Sequence, residues 1–283
     1  METVVVKQRI GQRGPKAVGA RAGLAAKDAF RALILFIGPL IVAILLWQAM
    51  VWWGQWPAYL LPGPAVVAKT FWSLLVQGVL LDHLVSSIMR LLLGSFAGVA
   101  VAIPMGFLIG TWKPAGLFFT PIITVLQPIP GIAWIPLAIL WFGLGPAAVG
   151  FIIFLSVFFP ILLNTVTGVR TINRDLLRVA RVMMCPRWMV VTDVIVPGAL
   201  AYIITGLRIG LGYGWRALVA GEMIAATSGL GFMIFDARNY LKTEEVVVGM
   251  ATIGLFWALV ERVMLKPLEQ KTIERWGMAK PGV

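Results

Sequence analysis

Charged and reactive side chains are scarce in this 283-residue sequence: 13% of positions are charged, with one cysteine, Cys185, and one histidine, His83. A lone cysteine excludes an internal disulfide, and its place in a polar stretch gives it no metal partner. His83 has no carboxylate or cysteine at ligand spacing and reads as an ordinary polar residue at a helix start, so no metal site is expected. No run of the form GxxxxGK[ST] occurs, which leaves the chain without the usual phosphate-cradling loop for ATP. An integral membrane enzyme would bring several His, Asp or Glu residues to one membrane depth, and the sequence has no such cluster. No catalytic residue is therefore expected.

Apolar side chains are what the sequence has instead. Hydrophobic residues make up 60% of it and the mean hydropathy is +0.91, far from the balance of a soluble domain. An all-α integral membrane protein follows, with the lipid bilayer as its surroundings. The formal charge of +12 would suggest nucleic acid as the partner of a soluble chain, but here the placement of the basic residues matters more than their sum. No nucleic-acid partner is expected. Six spans are predicted, at 33–53, 83–112, 117–140, 147–169, 196–219 and 246–265. They divide the chain into a basic tail at 1–31, a transmembrane domain at 32–265 and a charged tail at 266–283. A signal peptide competes for the first run, but no small-residue cleavage site follows it; Trp52, Trp53 and Trp56 sit there as an interfacial belt. The segment 222–245 is too polar to span and reads as an outer re-entrant or surface helix. In this arrangement 17 Lys and Arg fall in the inner segments and only Lys69, Arg238 and Lys242 in the outer ones. That asymmetry puts both termini in the cytoplasm.

Within the spans, small residues recur every fourth position, at Gly94, Gly98, Ala102, Gly106 and Gly110 and again at Gly206, Gly210 and Gly214. Such stripes let another helix approach closely, and form either plain packing surfaces or the sliding surface of alternating access. Gln127-Pro-Ile-Pro-Gly131 interrupts the third span, which is tolerated only where protein or a cavity covers the freed backbone. It is either a gate or a kink. Intramembrane charge is expensive, which makes Arg90, Arg208, Arg216 and Glu222 candidates for a translocation pathway, and Gln127 at the break is a further candidate. At 100° per residue Arg208 and Arg216 lie about 80° apart on one helix, close enough to look into one cavity and attract an anion. Neutralising Arg208 would then lower anion uptake. The competing reading has each arginine tie down backbone carbonyls or snorkel to an interface.

One polar stretch stands apart, the run 173–188 with the sequence NRDLLRVARVMMCPRW, inside a loop at 170–194 between two long apolar segments. Asn173 is a good N-cap and Pro186 a stop, leaving room for about three helical turns. Arg174, Arg178 and Arg181 share one face; Leu176, Leu177, Ala180, Met183 and Met184 form an apolar side that a solvated loop has no need of. Either this helix docks into a partner, or it lies on anionic headgroups as an interfacial linker.

The run from Leu176 through Met223, together with Leu61-Pro-Gly-Pro64, Gln127-Pro-Ile-Pro130, Phe158-Phe-Pro-Ile-Leu-Leu-Asn164 and Ser228-Gly-Leu-Gly231, resembles the permeases of ATP-binding-cassette importers, specifically the nitrate, aliphatic sulfonate and taurine group. The resemblance covers roughly residues 60 to 265. It implies a type I importer fold like that of methionine importers, in a bacterial inner membrane, and a pathway that works by alternating access. It also implies that Arg174, Asp175, Leu176, Leu177, Arg178, Ala180, Arg181, Met184, Arg187, Trp188 and Pro197 belong to a coupling segment that seats in a cleft on a cytoplasmic ATPase dimer. The partner ATPase would bind ATP and Mg, and this chain no cofactor. The further partners implied are a second permease copy and a periplasmic or lipid-anchored substrate-binding protein. Arg178 stands where the family usually has Glu, Val179 and Ala180 stand for its two alanines and Met184 for its glycine, departures that point to an acidic rim on the partner. A secondary transporter without an ATPase is the rival, opposed by the lack of an inverted repeat and by the docking loop.

Overall fold

Inside a bilayer the backbone must satisfy its own hydrogen bonds, and an apolar chain of this kind does so with helices. The structure, a computed structural model, describes residues 38–39, 41–54, 56–57 and 59–273, and every regular element among them is helical. Four helices are long and apolar enough to cross a membrane, or five if one bent pair counts as a single span. Six were expected. The first expected span is described only from Ile41 to Gly54 (α1), which is too short to cross as it stands. Two compact units divide the chain, residues up to 66 and from 67 onward. In the first unit α1 ends beside the exposed Trp52 and Trp53.

The second unit is built on three helices. α2 (Pro64–Val76) leads through Gly78, at φ 79°, into α3 (Val79–Thr111), and α4 (Lys113–Leu126) follows after the extended Trp112. At 1.5 Å per residue α3 is about 50 Å long, well beyond the roughly 30 Å of hydrocarbon. A 3₁₀ turn at Gly131–Trp134 then opens α5 (Ile135–Phe142). α6 (Pro146–Thr171) is the central post, packed against both α3 and α9 (Val196–Ala225), which also touch each other. The most extensive contacts in the chain are α6 with α9 and α6 with α3.

Both stripes of small residues turn out to face α6. A Cβ added to Gly94 would lie 2.8 Å from Ile153, one on Gly106 2.6 Å from Thr165, and one on Gly110 2.7 Å from Val169. On the other flank a Cβ at Gly206 would meet Asn164 at 2.8 Å and one at Gly214 would meet Val157 at 2.6 Å. The backbones of α3 and α9 thus approach α6 to distances only glycine allows, which maximises van der Waals contact where no hydrophobic drive separates helix from lipid.

The interruption at 127–131 is a true break: Lys113–Leu126 and Gly131–Phe142 are bent by 88°. Gly131 sits so close to α6 that a Cβ there would fall 2.2 Å from Ser156 Oγ. At the far end Gly143 and Gly145 hold positive φ, and the Gly145 amide donates to the Ala225 carbonyl at 2.7 Å, tying the expected short turn to the end of α9. α9 itself runs six residues beyond the predicted end of its span, so Glu222 belongs to its last turns. α10 (Leu230–Asn239) then packs back on α9, α11 (Thr243–Val260) and α3, burying Leu230, Met233, Ile234 and Ala237. Its apolar side explains why a segment too polar to span is still drawn inward. A π turn at Glu261–Leu265 joins α11 to α12 (Lys266–Ile273).

Candidate functional site

The polar segment folds as α7 (Arg174–Val182) and α8 (Arg187–Val190), the latter running through a π turn at Val191–Ile195 into α9. Asn173 Oδ1 accepts the Asp175 amide at 2.8 Å, an N-cap as the sequence suggested. The helix ends earlier than Pro186, at Val182. Its terminator is Met184, whose φ of 53° reverses the chain while the Cys185 amide donates to the Ala180 carbonyl at 3.0 Å. This is a left-handed cap that glycine ordinarily occupies, and a methionine there carries about 1 to 2 kcal/mol of backbone strain.

The apolar residues of this segment divide by direction. Leu177 packs against a buried cluster of Val169, Ile195, Ala199 and Ile203 at the ends of α6 and α9, and Ala180 is also buried. Leu176, Val179, Val182, Met183, Met184 and Trp188 are all exposed, Met184 to 89%. Arg174, Arg178 and Arg187 are exposed as well, Arg178 paired with Asp175 at 3.1 Å; Pro197 lies in the first turn of α9. Arg181 continues the helix at the expected register. An inner face thus anchors α7, and an outer face mixing apolar and cationic side chains has no cover from the described part of the chain.

The second feature is an open cavity of about 620 Å³ lined by the Gln127–Ile132 break, α6 and α9. Its polar lining is Gln127, Ser156, Asn164, Tyr213 and Arg216. Arg216 lies over the Tyr213 ring, 5.8 Å from its centre, and among the described residues it has no carboxylate partner. It stands nine residues before the end of α9, about 14 Å along the axis, and therefore deep in the span. Of the predicted pathway residues, Gln127 and Arg216 meet here. Ser156, Asn164 and Tyr213 join them unpredicted, each a single polar residue among apolar ones, with only the three-residue spacing of Tyr213 and Arg216 to mark it.

Arg90 and Glu222 are elsewhere, bonded to each other at 2.7 Å. Glu222 is fully buried, and it accepts further bonds from Ser87 Oγ at 2.8 Å and from the Gly231 amide at 3.0 Å. Arg90 also donates to the Ser228 carbonyl at 2.7 Å, so it does tie down backbone, as the competing reading held. Nearby the Gly229 amide donates to His83 Nδ1 at 3.0 Å. Gly229 has φ 108°, and a Cβ there would collide with the Glu222 carboxylate. The network locks the loop before α10 onto α3.

Arg208 does not share the cavity with Arg216. It donates to Glu261 at 2.7 Å and to Glu269 at 2.5 Å, both at the carboxyl end of the chain. The 80° between the two arginines on the helical wheel is enough for these carboxylates to claim one of them. Among the described residues no group of three His, Cys, Asp or Glu could hold a metal.

The profile of the family described as "binding-protein-dependent transport system inner membrane component" matches residues 98–264. The taurine transport system permease protein of Escherichia coli is 36% identical over 236 residues, covering 82% of this chain and 86% of that protein. A putative aliphatic sulfonates transport permease protein of Bacillus subtilis is 37% identical over 80% of this chain and 84% of its own length. The nitrate import permease protein of Synechocystis is 34% identical over 66% and 70%. In fold, the chain is similar to a solved inward-facing MetNI methionine ABC transporter, with a TM-score of 0.53 at 21% identity over 69% of this chain and 95% of that one.

Proposed function

The chain belongs to the family of binding-protein-dependent transport system inner membrane components, and from that premise we propose how its geometry serves transport and what it carries. It is the multi-pass membrane permease of an ATP-binding-cassette importer, a transport subunit. Its substrate is a small oxyanion of the sulfonate or nitrate kind. The observation that carries this reading is Arg216, a cation deep in a span with no carboxylate partner among the described residues, facing a cavity whose other polar groups are neutral. A guanidinium and the amides of Gln127 and Asn164 favour a planar or tetrahedral oxyanion over a cation.

In this reading α7 is the coupling helix. Its inner residues Leu177 and Ala180 fix it to the ends of α6 and α9, and its outer face seats in a cytoplasmic ATPase that binds ATP and Mg. Movement of α7 reaches the cavity through α6, which carries Ser156 and Asn164 and is held on both flanks by glycine contacts. Two copies pair in a bacterial inner membrane, both termini in the cytoplasm, and receive substrate from an external binding protein. Reconstituted with these partners, the Arg216→Gln variant should take up methanesulfonate, taurine or nitrate at least about tenfold more slowly, the loss of one charge-assisted bond. Association with the ATPase should be unchanged. Uptake equal to that of the parent chain would overturn the anion reading.

A further inference from the structure

At the end of α4 opposite the break lies a larger cleft, about 1340 Å³, between α4, the last turn of α6 and α7. Lys113, Arg170, Arg174 and Arg178 line it, with no acidic residue among the lining. Asp175 holds Arg178, but among the described residues Lys113, Arg170 and Arg174 have no carboxylate partner. Arg170 reaches right across the opening: a Cβ on Gly116 of α4 would lie 3.2 Å from its Nη2. Like charges gathered without counter-charge repel one another, and such a cluster is stable only where solvent or an anion fills the space.

The cleft and the Arg216 cavity lie along the same two helices, α4 and α6. Thr120 and Thr124 on α4 line the cleft, and Gln127, three residues further along the same face, lines the cavity. On α6, Arg170 of the cleft, Thr167 and Asn164 of the cavity follow at three-residue intervals, and Thr167 is exposed. Thr124 and Thr167 satisfy their hydroxyl protons on the carbonyls of Thr120 and Leu163. Weak, neutral polar groups thus lie along α4 and α6 between the two cationic ends.

We propose that this cleft is a second anion-binding station, distinct from the Arg216 cavity, in which Lys113 and Arg170 hold an oxyanion on its way out to the cytoplasm. The inference rests on the anion reading of Arg216 for the identity of the traffic, but the cleft has its own cations and its own test. Because α7 forms one wall, the station empties or fills as the coupling helix moves. An anionic lipid headgroup carries the same chemistry, and the test separates the two sources.

The test uses the full chain with Cys185→Ser and Thr120→Cys, in nanodiscs of phosphatidylcholine alone and of phosphatidylcholine with phosphatidylglycerol. Labelling rates of the introduced thiol are compared for a sulfonate-bearing methanethiosulfonate and a neutral one. In phosphatidylcholine alone, the ratio of anionic to neutral labelling should be at least about fivefold higher than in the same chain carrying Lys113→Gln and Arg170→Gln, the local enrichment two unpaired charges in a cleft give. Methanesulfonate should slow the anionic reagent saturably. An unchanged ratio overturns the station, and protection that appears only with phosphatidylglycerol assigns the cleft to lipid and overturns it too. Adding Arg216→Gln should leave the labelling ratio intact. If that variant also transports normally, the anion reading of the cavity falls while the binding result at the cleft stands.

Discussion

At the scale of single residues, the buried carboxylate of Glu222 is the most demanding group in the chain. Burying a charge is costly unless it is paired and hydrogen-bonded, and Glu222 has a guanidinium, a hydroxyl and a backbone amide around it. Removing one partner leaves the other uncompensated. Arg90→Met should therefore lower stability by about 3 to 5 kcal/mol, whereas Arg90→Met with Glu222→Met should recover much of the loss. Thermal unfolding of the purified variants in one detergent, arranged as a double-mutant cycle, measures this; a double variant no better than the single would show that the pair does more than neutralise itself. Arg216 has the opposite design. Among the described residues it has an aromatic face beneath it and no carboxylate partner, which in the proposed function leaves its charge for an anion that enters the cavity.

At the scale of elements, periodicity in the sequence was a sound guide wherever one helix met its immediate neighbour. The glycines of α3 and α9 repeat every fourth residue because both helices must lie against α6 along their length, and small residues cannot be replaced there without moving a backbone. Gly106→Val would drive its side chain into Thr165 and the Leu162 carbonyl, and should cost about 1 to 3 kcal/mol; Gly150→Ala, where a Cβ meets nothing within 4 Å, should cost less than about 1 kcal/mol. Equal losses at the two sites, read from thermal unfolding, would contradict the packing described. Distant pairings were not legible in the same way. Nothing local links Arg208 to Glu261 and Glu269, more than fifty positions away, or Arg90 to Glu222, because those contacts depend on how far each helix is rotated about its axis. The proline-rich break could be seen in the sequence. Its 88° bend and the polar residues it gathers from α6 and α9 could not, since they arise only when three helices meet.

At the scale of the whole molecule, the proposed coupling role of α7 rests on how its two faces differ. Adjacent leucines on it point opposite ways: Leu177 belongs to the core at the ends of α6 and α9, and Leu176 is exposed alongside Val179, Val182 and Met183. An apolar row of this kind beside cations is unfavourable in water and is stabilised by a partner that covers the row and answers the charges. Each apolar side chain fully covered contributes about 1.5 to 3 kcal/mol, or roughly ten- to a hundredfold in a dissociation constant. Leu176→Asp and Val179→Asp should therefore each weaken association with the ATPase by at least about tenfold, with little change in the thermal stability of the isolated permease. Leu177→Ala should do the reverse, lowering the unfolding temperature first, with binding affected only through the loosened helix. Co-purification and a binding isotherm against the ATPase, set beside unfolding curves for the same variants, distinguish the two faces. If Leu176→Asp left binding intact, the exposed row would belong to the lipid surface, and the force that opens and closes the Arg216 cavity would have to enter the chain somewhere other than α7.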